Sequence, residues 1–148
     1  MQVGSQTGWV FEMNRRELKA WIVRLDEAPN DGRVACDFAE MIWNGTVSES
    51  QQCELLSSPI TRVREVTAWA IADLARDGIP IRTLFCVGPD DRSERVRLMT
   101  AFALKESAFL SQEEINIIAE RLGNDKSANV LATLAEITAR DGNRKIGH

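Results

Sequence analysis

Apolar residues recur at three- and four-residue spacing along almost the whole chain, and short polar stretches cut the pattern into segments of helical length. Asn14, with Glu17 three residues on, reads as a helix N-cap, and Leu18, Trp21, Ile22 and Leu25 supply the apolar stripe behind it. Pro29-Asn30-Asp31-Gly32 breaks that helix. Asp31 then caps a second one from Gly32 to Trp43, which Asn44-Gly45 stops. Ser48 with Gln51 opens a short third helix ending near Leu56, and Pro59 begins a long fourth, closed by Asp77-Gly78. Ile79 to Val87 is apolar and β-branched but contains Pro80, so a short helix and an irregular turn are both open there. Pro89-Asp90-Asp91 leads into a helix from Ser93 to about Ser107, and Ser111 with Glu114 forms a capping box for Gln112 to Leu122. The last helix is expected from Ser127 to Arg140, ended by Gly142. Met1 to Trp9, polar and glycine-bearing, reads as a frayed tail. Almost nothing reads as strand, so the expected class is all-α, built of helical hairpins.

The segments repeat one another. Leu55 to Ala75, LLSSPITRVREVTAWAIADLA, joins a loop breaker to a whole amphipathic helix, and similar units start at Leu25, Phe85 and Leu122. The nearest pair is RVREVTAWAI from Arg62 and RVRLMTAFAL from Arg95, whose starts lie 33 residues apart. A period in that range is the signature of a stacked array. Four approximate repeats, 12–44, 48–77, 79–107 and 111–141, fill a single domain over 1–148.

Composition narrows the function classes. Four tryptophans, five phenylalanines and 44% apolar residues supply a core large enough to need no metal or disulfide staple. Cys36, Cys53 and Cys86 are odd in number and in no C-x-x-C arrangement, which fits free thiols in a reducing, cytoplasmic compartment. No apolar run approaches the roughly 18 residues that a membrane span requires. A net charge of −4 argues against a general nucleic-acid binder, though not against a local basic stripe.

A loop bearing Pro or Asp, then Val-Arg, then Ala and Leu at helical spacing resembles the second helix of a HEAT or armadillo-type repeat. Val63-Arg64 with Ala68, Ala70, Ile71 and Leu74 carries the resemblance, as does Val96-Arg97 with Ala101, Ala103 and Leu104. The first unit keeps Val34 but has Ala35 in the arginine position, and the last has Val130-Leu131. The resemblance implies a right-handed α-solenoid of about four hairpins, whose second helices line the concave side where such proteins hold partners. It also implies that Arg64 and Arg97 are structural, pairing with a neighbouring acid or carbonyl.

At about 100° per residue, Val63, Val66, Thr67, Ala70, Ile71 and Leu74 share one apolar arc, while Arg62, Glu65, Trp69, Asp73 and Arg76 fall opposite. The same projection places Phe102 beside Arg95 in the next unit, and Glu40 and Glu136 in the outer ones. Stacked repeats would align these into two ladders, Glu40–Trp69–Phe102–Glu136 and Arg33–Arg62–Arg95. Aromatics flanked by arginines have the composition of an interface hot spot. Solenoid helices are buried on more than one side, however, so Trp69 and Phe102 filling the layer between repeats is an equally open reading. Trp21 reads as core and Trp43 as a helix-end cover. The pairs Asp26-Glu27, Asp90-Asp91 and Glu113-Glu114 sit where capping and dipole effects explain them.

No catalytic, cofactor or metal motif is present, and His148, the one histidine, is a poor base at the terminus. Trp69 and Asp73 lie one turn apart near Arg62 and Arg95, which resembles the concave surface of HEAT-like alkylpurine DNA glycosylases; that family is longer and more basic. The expected function is therefore non-enzymatic: an adaptor, inhibitor or immunity-type protein that occludes another protein's working surface. Trp69 and Phe102 would act as anchors, Arg62, Arg95 and Asp73 would set register, with Arg76 and Arg33 beside them, and Glu40 and Glu136 would discourage wrong partners. Apolar end helices, carrying Trp21, Ile22 and Val23 or Leu131, Leu134 and Ile137, leave a homodimer through a solenoid end as an alternative.

Overall fold

The computed structural model describes residues 12–146, with side chains as far as Ile137. Among the described residues there are eight α-helices, one 3-10 turn and no strand. The helices are α1 (Arg15–Glu27), α2 (Gly32–Trp43), α3 (Glu49–Leu56), α4 (Thr61–Arg76), α5 (Thr83–Val87), α6 (Glu94–Glu106), α7 (Gln112–Leu122) and α8 (Ala128–Ile146). The frayed tail expected at Met1 to Trp9 lies outside the described residues. The chain divides into two compact units between Ala70 and Ile71, inside α4.

Local capping chemistry sets the helix starts. Asn14 Oδ1 accepts from the Glu17 N–H at 2.8 Å, and Asp31 accepts from the N–H groups of Arg33 and Val34. Ser48/Gln51 and Ser111/Glu114 both form reciprocal capping boxes, each satisfying two backbone donors that the first turn leaves unpaired. Gly45 and Gly78, at φ 88° and 83°, occupy the left-handed region just past α2 and α4, where a side chain would be strained. The open stretch at 79–88 resolves into α5 followed by a 3-10 turn at Gly88–Asp90. The last helix corrects one expectation: α8 runs through Gly142 to Ile146. A single interior glycine costs only about 1 kcal/mol relative to alanine, which a helix of 19 residues absorbs.

In the first unit α1 packs on α2 over Leu18, Leu25, Phe38 and Ile42. The Trp21 ring lies 5.7 Å from that of Phe38, with the Arg24 guanidinium 4.1 Å from its ring centre, and the indole is half-buried. The Gln51 side-chain amide donates to the Met13 carbonyl at 2.6 Å and ties α3 to the strap ahead of α1. In the second unit α6 packs against α7, α8 and the 3-10 turn, around Leu84, Val96, Leu104, Leu122 and Val130. Gly88 permits the closest approach. A Cβ there would stand 2.0 Å from the Thr100 hydroxyl.

The internal repeat is visible in hydrogen bonds as well as in letters. Arg64, 5% exposed, donates from Nη1 to the Ser58 carbonyl at 2.9 Å, and Arg97 donates from Nη1 to the Asp91 carbonyl at the same distance. Thr67 and Thr100 return their hydroxyls to the carbonyls of Val63 and Val96, at 2.7 and 2.8 Å. Each loop also folds on a short polar side chain. Ser58 Oγ accepts from the Ile60 N–H, Asp91 Oδ1 from Ser93, and Asp125 Oδ1 from Ser127. Arg97 then reaches the following loop, with Nε 2.6 Å from Asp125 Oδ2 and Nη2 3.3 Å from Oδ1. Arg64 and Arg97 thus hold a carbonyl or an acid, as the repeat resemblance implied.

Asp125, its side chain only 4% exposed, is pushed upward in pKa by burial. The Arg97 guanidinium and the backbone N–H groups of Ser127 and Lys126 outweigh that push and hold the carboxyl below its ordinary value. Removing the cation leaves a buried carboxylate without its partner. Arg97→Met should therefore cost about 3 kcal/mol in urea unfolding at pH 7. A pKa lower in the folded than in the unfolded chain contributes stability that is complete above about pH 4 and lost as pH falls through the folded value. The penalty of Arg97→Met should shrink over that acidic range. Gly88→Ala should lower stability by about 1–3 kcal/mol through the collision with Thr100, read in the same unfolding assay.

Candidate functional site

Helix α4 is buried over an unusually wide arc. Val63, Val66, Thr67, Ala70 and Ile71 are closed off as their spacing predicts, but Arg64 and Ala68 are buried too. What remains partly open in the first unit is a narrow face bearing Arg62, Glu65 and Trp69, all half-buried. Residues 62 and 69 are seven apart, so they lie on the same side of the helix, roughly 10 Å along its axis.

Trp69 is neither a free anchor nor sealed core. Its ring meets that of Trp43 edge to face, with centroids 5.7 Å apart and planes at 70°. This geometry sets the positive edge of one ring against the π face of the other, worth about 1 kcal/mol beyond the area buried. The Trp43 indole N–H donates to the Ala70 carbonyl at 2.9 Å, so Trp43 is locked in place from the end of α2. Trp69 Nε1 is neither closed off from solvent nor matched to an acceptor among the described residues. One indole of the pair is saturated and the other is not.

Arg62 shows a stronger imbalance. Its Nε is closed off from solvent with no acceptor, and the guanidinium has no hydrogen-bond or ion-pair partner among the described residues. Glu65, one turn further along, is engaged in an interaction of its own. The buried Nε carries a desolvation cost that no acceptor among the described residues repays.

The other expected site residues fall into three groups. Arg33 and Glu40, on α2 in the first unit, are exposed. In the second unit Asp73 and Arg76 pair at 2.7 Å, so the Asp73 carboxylate is occupied. Also in the second unit, Phe102 is half-buried with Lys105 Nζ 5.1 Å from its ring centre, and the same ammonium reaches Glu136 at 2.8 Å. Phe102 and Glu136 are thereby brought to one place, linked by a lysine that sequence reasoning did not single out. Arg95 is exposed. The predicted four-rung ladder draws members from both units; within each, Trp69 and Phe102 lie off the fully buried stripe of their helices.

A second feature lies wholly in the second unit and had no sequence signal, because it grows from the 79–88 stretch. Phe85, Leu110, Ile117 and Ile118 line an open cavity of about 300 Å³ with Arg82 and Arg121 at its rim. Both cations are occupied: Arg82 pairs with Glu114, and Arg121 with Asp90 and with the carbonyls of Phe85 and Cys86. The Ser111 backbone N–H and then the Arg82 guanidinium hold the Glu114 carboxyl below its usual range. Cys36, Cys53 and Cys86 are free and exposed, and no cluster of metal-ligating side chains exists among the described residues. No described helix is long and apolar enough to cross a membrane.

Neither a protein-family model, nor a curated protein, nor a solved structure matches this chain. What it can do chemically has to be read from its own surface. That surface offers a saturated indole supporting an unsaturated one, a cation lacking its anion, and an aromatic ring capped by an ammonium. Trp43→Phe removes the N–H bonded to Ala70 while keeping most of the ring. It should cost about 1 kcal/mol in denaturant unfolding and raise the quenchability of Trp69 fluorescence as the pair loosens.

Proposed function

We propose that the protein is a non-enzymatic binding module, a HEAT-like α-solenoid that grips another protein through the partly exposed side of its second helices and acts by occlusion. The observation carrying this reading is the pairing of Trp69 with an unsatisfied Arg62 on one face of α4. Groups left incompletely satisfied in the free protein gain most when a partner completes them, which supports this reading.

In this reading Trp69 and Phe102 are the anchors that become desolvated on binding, and Arg62 and Arg95 fix register by electrostatic complementarity. Glu40 and Glu136 disfavour partners that present acids at the wrong places. A specific interface of about 800 Å² per partner is expected. The right-handed solenoid path and a cytoplasmic setting belong to the same proposal, resting on the 33-residue internal repeat and the unpaired thiols. An adaptor, an inhibitor and an immunity-type protein all fit this mode of action.

Trp69→Ala/Phe102→Ala should weaken binding to the isolated partner by about 3 kcal/mol or more in calorimetry, with an unchanged circular dichroism spectrum. Unfolding of the double variant, in place of a clean loss of binding, would return both rings to the core and sink the proposal.

A further inference from the structure

The charge pattern around Trp69 indicates what kind of partner the face takes. Arg62 contributes a guanidinium with no partner among the described residues, its Nε closed off from solvent, and Trp69 lies two helical turns away on the same side. Trp43 stiffens Trp69 from behind without covering its N–H. These residues belong to the first unit and form a strip with a cationic end and an aromatic end, with the half-buried Glu65, engaged in an interaction of its own, between them.

We infer that this strip is the docking site for an acidic amphipathic helix of the partner protein, with an Asp or Glu against Arg62 and a large apolar side chain against Trp69. The inference rests on the proposed binding function and adds the chemistry of the ligand. A carboxylate supplies Arg62 with a charge-assisted, bidentate acceptor set, which is the geometry that guanidinium fits best. A partner helix presents residues seven apart on one face at the same rise of roughly 10 Å, so acid and apolar anchor fall seven positions apart in its sequence. Single-stranded nucleic acid is the competing ligand, since phosphate and base also suit arginine and tryptophan. The peptide is the better fit. Arg62 is one cation, enough for a single carboxylate, where a nucleic-acid track needs several.

This assignment predicts an unusual variant. Replacing a cation that binds a ligand but lacks a partner in the free protein should remove binding without harming the fold, as happens where stability has been conceded to function. The full chain is panned against a phage-displayed library of random 16-residue peptides, and the synthetic form of an enriched peptide is titrated beside a fluorescein-labelled single strand of fifteen thymidines. Enriched peptides should carry Asp or Glu seven positions from a large apolar residue. Affinity should fall at least about tenfold in both Arg62→Gln and Trp69→Ala, with Arg16→Gln unchanged as a charge control. The melting midpoint of Arg62→Gln should equal or exceed that of the wild type.

Peptides lost with Trp69→Ala but indifferent to Arg62→Gln would overturn the acidic-helix inference and leave the binding face standing. Peptides indifferent to both would remove the face as well. Absence of the acid-and-apolar pattern, Arg62-dependent binding of the thymidine strand, or a lowered melting midpoint in Arg62→Gln would each overturn the inference.

Discussion

Two long helices of this chain, α4 and α6, begin immediately after a polar loop, and in each an arginine six residues on from a loop carbonyl holds that loop shut. Arg64 grips the Ser58 carbonyl and Arg97 the Asp91 carbonyl, in both cases across a loop whose own side chain has already bonded the N–H two residues on. Arg97 goes further and takes the carboxylate of Asp125, so the loop opening one unit is fastened to the loop opening the next. A helix start exposes unpaired backbone groups and a loop exposes more. One planar cation with several fixed donors satisfies them at two sites together. Leu131 occupies the corresponding position in the last unit, so this device ends where the repeat does.

The same helices that rely on these clamps carry the proposed binding face, and the two roles pull in different directions. Arg64 is buried and satisfied; Arg62, two positions earlier, is half-buried and unsatisfied. The Trp43 indole N–H has a carbonyl acceptor, while the N–H of Trp69, packed against it, has none among the described residues. Neighbouring groups of similar chemistry are thus treated oppositely.

Most of the helix starts were legible in the sequence because capping is local. Asn14, Asp31, Ser48 with Gln51, and Ser111 with Glu114 act on residues two or three positions away, within the reach of a pattern. The buried arc of α4 was legible for a similar reason, since helical periodicity needs no knowledge of neighbours. Interactions spanning long separations were not. Trp43 could be read only as a helix-end cover, because its acceptor lies 27 residues away. The acid taken by Arg97 lies 28 residues away, and the repeat resemblance indicated the type of partner without its position. Gly142 misled in another way. As a helix breaker it is a weak local signal, and the helix ran through it.

The most direct test is the solvent exchange of the individual indole N–H protons of the free protein, followed by nuclear magnetic resonance after transfer into heavy water. A locked Trp43 beside an available Trp69 predicts slow exchange at the first and fast exchange at the second, although the rings touch. Slow exchange at both would show that Trp69 is sealed into the core, and would contradict the claim that this face is kept open for a partner.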